Sequence, residues 1–246
     1  MNKLVTVFSA LAVAAGIAQG EVKSANVVGY DTLKSQEGFN WIAPEFLEIG
    51  NNTVNIQSIQ LSGDGIDPAG GDNIQFLDAG GKTVASYGWL LAADTGADAD
   101  GWFDEENWEL ADVSIQAGDS VLVNTVSGNV AISLMGEVAQ NDYVKKSVEG
   151  FNWSGNVTPV AINIQSIQLS GDGIDPAGGD NIQFLDAGGK TVASYGWLLA
   201  ADTGADADGW FDEENWELAD VSLAPGAGVL VNTVSSDVVI TVDSAL

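Results

Sequence analysis

The sequence predicts an all-β protein of two tandem antiparallel β-sandwich domains, or partly closed barrels, each about 110 residues long. Three observations carry this. Asn55 to Ser114 recur without a change as Asn163 to Ser222, an offset of 108 positions. That period is too long for a solenoid repeat of roughly 20–50 residues, and long enough for each copy to close its own core. Apolar residues come in short runs broken by Gly, Asp and Asn, and after the N-terminal segment no window keeps a helical period.

Taken in order, Lys3 supplies a positive start, Leu4 to Ala18 is an apolar run and Ala18-Gln19-Gly20 offers a small-residue cleavage point. Residues 1–20 therefore read as a secretory signal. The competing reading, a membrane anchor, needs ~20 apolar residues, more than this run supplies. No later segment is apolar enough to span, so no membrane insertion is expected once the signal is removed. Domain one is expected over 21–135 and domain two over 136–246. Gly38-Phe39-Asn40-Trp41 is echoed by Gly150-Phe151-Asn152-Trp153, and no Pro-rich or Ser-rich linker separates the units, which should sit close together. Asn73 to Leu77 and Thr83 to Trp89 flank Asp78-Ala79-Gly80-Gly81-Lys82 and read as a hairpin with a Gly-rich loop. Ser120 to Asn124 and Asn129 to Leu134 read as a second pair. Ala224-Pro225-Gly226 marks the turn that opens the corresponding strand in unit two.

Composition then filters function. The chain has 35 acidic and 7 basic residues, a net charge of −28, and every basic residue is a lysine. Nucleic acid is excluded as a partner, because phosphate recognition draws on clustered Lys and Arg. Histidine and cysteine are absent. Their absence removes the usual general base near neutrality, the common triads, thiol chemistry, disulfides and cysteine-ligated metals. Any chemistry must run on carboxylates, hydroxyls and hard cations. At 46% hydrophobic with eight tryptophans, the chain has enough to bury to fold despite its charge.

The signal segment, Ser24-Ala25-Asn26-Val27-Val28-Gly29-Tyr30, the hairpin, Asp100-Gly101-Trp102-Phe103-Asp104 and the Pro225-Gly226 turn together resemble secreted β-repeat proteins of planctomycete- and verrucomicrobium-type bacteria. The resemblance covers nearly the whole mature chain. It implies export and a role outside the cytoplasm, and it brings no established activity and no catalytic residue.

Three constellations are candidates for function. Asp94 to Asp112 holds eight carboxylates and no lysine, and the set recurs at Asp202 to Asp220. A bound hard cation would relieve their repulsion, and Asp98-Ala99-Asp100-Gly101 is similar to the core of acidic calcium loops. The expected calcium ligands are Asp98, Asp100, Asp104 and Glu105, with Asp206, Asp208, Asp212 and Glu213. The full EF-hand spacing fails at Gly96 and Asn107, and a solvated acidic loop is the alternative. Second, Trp102, Asn107 and Trp108, with Trp210, Asn215 and Trp216, read as a ligand-binding set in which indoles stack on sugars while amides and carboxylates take hydroxyls. The alternative places tryptophans in the core. Third, Asp94-Thr95-Gly96 and Asp202-Thr203-Gly204 resemble the active-site stretch of retroviral-type aspartic proteases, whose two aspartates share a proton. The hydrophobic-hydrophobic-Gly element that family also needs is matched by Leu134-Met135-Gly136 but not by Val242-Asp243-Ser244.

The resulting expectation is a secreted, non-catalytic structural or adhesion protein of the periplasm, cell surface or extracellular space. Its partner is a glycan or an envelope or extracellular protein, and duplication adds avidity. A carbohydrate-binding pair, with or without calcium, is the second reading, and the protease using Asp94 and Asp202 the third.

Overall fold

A computed structural model describes residues 28–244, apart from Pro68, Pro176 and Gly178. The signal segment 1–20 and Ser24 to Val27 lie outside the described residues. Unit one contains β1 (Val28–Lys34), β2 (Gly38–Ile42), β3 (Phe46–Leu47), β4 (Thr53–Asn55), β5 (Ile59–Ser62), β6 (Asn73–Leu77), β7 (Thr83–Leu90), β8 (Gly101–Phe103), β9 (Ser114–Gln116), β10 (Val121–Thr125) and β11 (Ala131–Val138). Unit two repeats the plan with β12 (Tyr143–Lys146), β13 (Gly150–Gly155), β14 (Ile162–Asn163), β15 (Ile167–Ser170), β16 (Asn181–Leu185), β17 (Thr191–Leu198), β18 (Gly209–Asp212), β19 (Glu217–Leu218), β20 (Ser222–Leu223), β21 (Gly228–Thr233) and β22 (Val239–Val242). Among the described residues no helix is long and apolar enough to cross a membrane.

Each unit packs two main antiparallel sheets over one core, and a two-stranded ladder, β4-β9 or β14-β20, completes it. In unit one β11 pairs with β1, β3 and β5, and the second sheet runs β2-β10-β6-β7-β8. Unit two has β12-β22-β15 and β13-β21-β16-β17-β18-β19. Period-two alternation assigns the faces: in β5, Ile59 and Leu61 are buried while Gln60 and Ser62 are exposed. The core of unit one is built on Ile56, Ile59, Ile74, Trp89, Trp102, Val123, Ile132 and Leu134, with a matching set in unit two.

The β6–β7 hairpin forms as its sequence predicts. Asp78 N–H donates to Lys82 O at 2.9 Å and Gly81 N–H to Asp78 O at 2.9 Å, while Asp78 Oδ1 accepts from Gly80 and Lys82 N–H. Gly81 supplies the φ of +78° that the turn requires. The expected second pair does not form. β10 lies between β2 and β6, whereas β11 lies in the opposite sheet. The intervening turn is a crossing between layers, anchored where Val126 N–H donates to buried Asp72. β11 also runs across the expected junction at 135 and 136, so the passage between units is the short segment 139–142.

Gln57 closes the side of β8 with its own side chain. Its Oε1 accepts from Trp102 N–H at 3.1 Å, and its Nε2 donates to Trp102 O at 2.8 Å and Ala111 O at 2.9 Å. The carboxamide thus stands in for a strand backbone. Gln57→Ala is expected to lower stability by about 2 kcal/mol, read as a lower urea midpoint, because water replaces these bonds only in part.

The two units meet about a pseudo-twofold axis. Phe39 N–H donates to Ala187 O at 2.9 Å and Phe151 N–H to Ala79 O at 2.8 Å, each reaching the other unit's hairpin turn. Trp41 stacks on Trp153 with centroids 4.8 Å apart and planes 4° from parallel, and Phe39 and Phe151 pack edge-on against them. Gly38 and Gly150, at φ +96° and +97°, let the turns approach, since a Cβ at either would sit 2.6 Å from a carbonyl oxygen.

Symmetry breaks at the flanks of the joint. The turn at Gly118 packs on Tyr143, and Lys145 there forms an ion pair with Asp119 at 2.6 Å. Burial, with the Asp119 charge added, holds the Tyr143 phenol well above the usual tyrosine range. On the other flank the Gly226 turn meets Leu33 and the carboxyl of Glu45.

Candidate functional site

The acidic segment folds locally as α1 (Ala92–Thr95), strand β8 and a tight loop. Its carboxylates hold turns together. Asp100 Oδ1 accepts from Ala92 N–H at 2.7 Å, Asp104 Oδ1 from Glu106 N–H at 2.9 Å, and Asp112 Oδ1 from the Asn55 amide at 2.9 Å. Asp208 and Asp212 repeat these bonds in unit two after α2 (Ala200–Thr203). At Asp104 and Asp212 the short side chain reaches the backbone amide two residues on.

The residues expected to ligate calcium are therefore spread over separate tasks. Asp100 and Asp208 face the helical turns, Asp104 and Asp212 face their own loops, and Asp98, Glu105, Asp206 and Glu213 are exposed. Among the described residues no three acidic side chains converge on one point. Asp94 and Asp202 are exposed on one-turn helices in different units.

Two expected ligand-binding tryptophans belong to the core. Trp102 and Trp210 are fully buried, packed edge-on against Trp89 and Trp197, and Trp102 Nε1 donates to Ile59 O at 2.6 Å. Acidic neighbours in sequence do not decide which way a strand residue faces. In β8 the closed edge and the partner strand β7 leave Gly101, Trp102 and Phe103 all buried, with Trp102 on the core face.

Trp108 and Trp216 are different. They are 64% and 65% exposed and hold φ of 61° and 62°, the only non-glycine positions with positive φ among the described residues. A bulky residue in this conformation costs about 1–2 kcal/mol, and no burial of the indole offsets it. The loop locks the geometry: Trp108 N–H donates to Asp104 O at 2.8 Å and Glu109 N–H to Asn107 Oδ1 at 2.9 Å. Exposed Leu110 lies beyond it, and Glu105, Glu106 and Glu109 are all exposed on the same loop. Asn107 and Asn215 are exposed loop braces, each with its amide toward the preceding aspartate. An exposed indole on a loop that also carries an exposed Leu and three exposed glutamates suits a ligand that is both apolar and cationic.

The sheet order places these loops at the opposite side of each sheet from β2 and β13. β8 is four strand spacings, roughly 19 Å, from β2, and β18 stands in the same relation to β13.

A concave feature lies on the axis itself. Phe39, Trp41, Gln75, Leu77, Thr83 and Leu122, with Phe151, Trp153, Gln183, Leu185, Thr191 and Leu230, line a cleft of about 380 Å³. The echo of Gly38-Phe39-Asn40-Trp41 in unit two was the sequence signal for it, but the echo does not reveal that the two copies face each other. No family model, no curated protein and no solved structure matches the chain, so its geometry alone carries the functional reading.

Proposed function

We propose that this is a non-catalytic adhesion or scaffolding protein, exported from the cell, that uses two acidic, tryptophan-tipped loops to hold a basic protein partner bivalently. The observation that carries this is the pair of exposed indoles at Trp108 and Trp216, each kept in a strained backbone conformation on a loop that also carries three exposed glutamates. A lysine or arginine presented to such a loop gains the indole face and the carboxylate field together. The signal character of residues 1–20 supports export. The fixed joint supports bivalency, because two tips on one rigid body raise the effective concentration of the second contact.

The test is a titration of the protein with a lysine-rich peptide, followed by tryptophan fluorescence and by calorimetry. Trp108→Ala leaves the charge unchanged and should weaken binding at least tenfold by removing one of two contacts; adding Trp216→Ala should weaken it further. An affinity indifferent to both substitutions would show general charge attraction only and remove the proposed role of the loops.

A further inference from the structure

The axial cleft is free of charge in a chain whose net charge is −28: none of the side chains lining its 380 Å³ is acidic or basic. From this contrast we infer that the cleft is a binding site for a neutral glycan, separate from the two loops and independent of the reading given to them. An anion is repelled by the field of the whole molecule, and a cation finds no counter-charge in the cleft. A wholly apolar ligand would strip water from Gln75, Gln183, Thr83 and Thr191 without replacing their hydrogen bonds. A sugar meets both demands, since its C–H faces suit the aromatic walls and its hydroxyls suit the amides.

The polar groups are already oriented. Thr83 Oγ1 donates to Gln75 Oε1 at 3.0 Å and Gln75 Nε2 donates to Asn73 Oδ1 at 2.6 Å. Thr191, Gln183 and Asn181 repeat the chain at 2.9 and 2.7 Å. Each glutamine keeps one N–H and spare acceptor capacity for a ligand, and its fixed orientation lowers the entropy lost on binding. The halves present the same groups twice across the axis, which favours a repeating chain over a lone monosaccharide. The volume lies at the small end for ligand sites and accommodates about one or two rings of that chain.

The test is calorimetric titration with cellotetraose, xylotetraose and mannotetraose, with tetragalacturonate as the charged control, at low and high salt. At least one neutral probe should bind with an affinity that salt leaves unchanged, and tetragalacturonate should not bind. Gln75→Leu with Gln183→Leu should weaken this binding at least tenfold. Thr83→Val with Thr191→Val, at exposed positions, should weaken it severalfold with an unaltered melting temperature. Trp108→Ala with Trp216→Ala should leave it intact, which separates this site from the salt-sensitive peptide binding of the loops. Absence of heat with every neutral probe, or glycan binding untouched by both the Gln and the Thr pairs, overturns the inference and leaves the cleft as a packing seam.

Discussion

Replacing Glu45 with methionine is expected to raise the melting temperature at pH 8 and to flatten its dependence on pH. Glu45 is completely buried, and the polar side chain that acts on its carboxyl is that of Asp31. Burial, with the negative charge of Asp31 and a hydrogen bond to it from the protonated carboxyl added, pushes its pKa from 4.5 up to about 8. A carboxyl whose folded pKa is raised keeps its proton in the folded state while the unfolded chain loses it. Stability is therefore fully present below about pH 4.5, is lost as pH rises through the window to about 8, and stays low above it. The shift sets an upper bound of about 5 kcal/mol, and local entry of water reduces it. Methionine keeps the volume and removes the titration. The position aligned with Glu45 in unit two is Val157, which is 1% exposed, so the fold accepts an apolar residue there. Melting curves should show wild type and variant close together at pH 4.5 and separated by about 5–10 °C at pH 8. Curves that stay parallel across this range would mean that Glu45 does not titrate as argued.

Asp72→Ala is expected to destabilise unit one by about 3–4 kcal/mol. Asp72 is fully buried, and its two oxygens accept from Asp67 N–H at 2.7 Å and Val126 N–H at 2.9 Å. It ties the β5–β6 loop to the point where the chain leaves β10 for the other sheet. Hydrogen bonds to a carboxylate are each worth about 1.5–3 kcal/mol, and deletion leaves two part-buried donors without their acceptor. Asp180 makes the same pair of bonds in unit two, to Asp175 N–H and Val234 N–H. Asp180→Ala should therefore reproduce the loss, which makes the two units internal controls. Urea unfolding checks both, and a change below about 1 kcal/mol in either would show that the loop crossing is held by packing instead.

What the sequence made legible was local. The β6–β7 hairpin and the duplicated sandwich plan follow from short-range alternation and turn residues. The placement of β10 and β11 in opposite layers does not, because adjacency in sequence favours pairing and only the packing of β2, β5 and β6 decides otherwise. Burial of Trp102 was hidden in the same way, since its acidic neighbours point to solvent while Gln57 and Ile59, distant in sequence, hold it inward. Exposure of Trp108 was the half of that expectation the structure supports. Glu45 was concealed among 35 acidic residues. Only alignment of the two starts, where Glu45 stands opposite Val157, carried a sign that this one was different.

The tight turn from Asp78 to Lys82 bears on how such a chain sorts itself during folding. Because β7 and β17 have the same sequence, β6 could pair with either at equal contact energy. Closing the five-residue turn rather than the 113 residues between Leu77 and Thr191 favours the near partner by about 2–3 kcal/mol of loop entropy. Proximity along the chain, and not recognition between strands, keeps the twin halves from exchanging their hairpins.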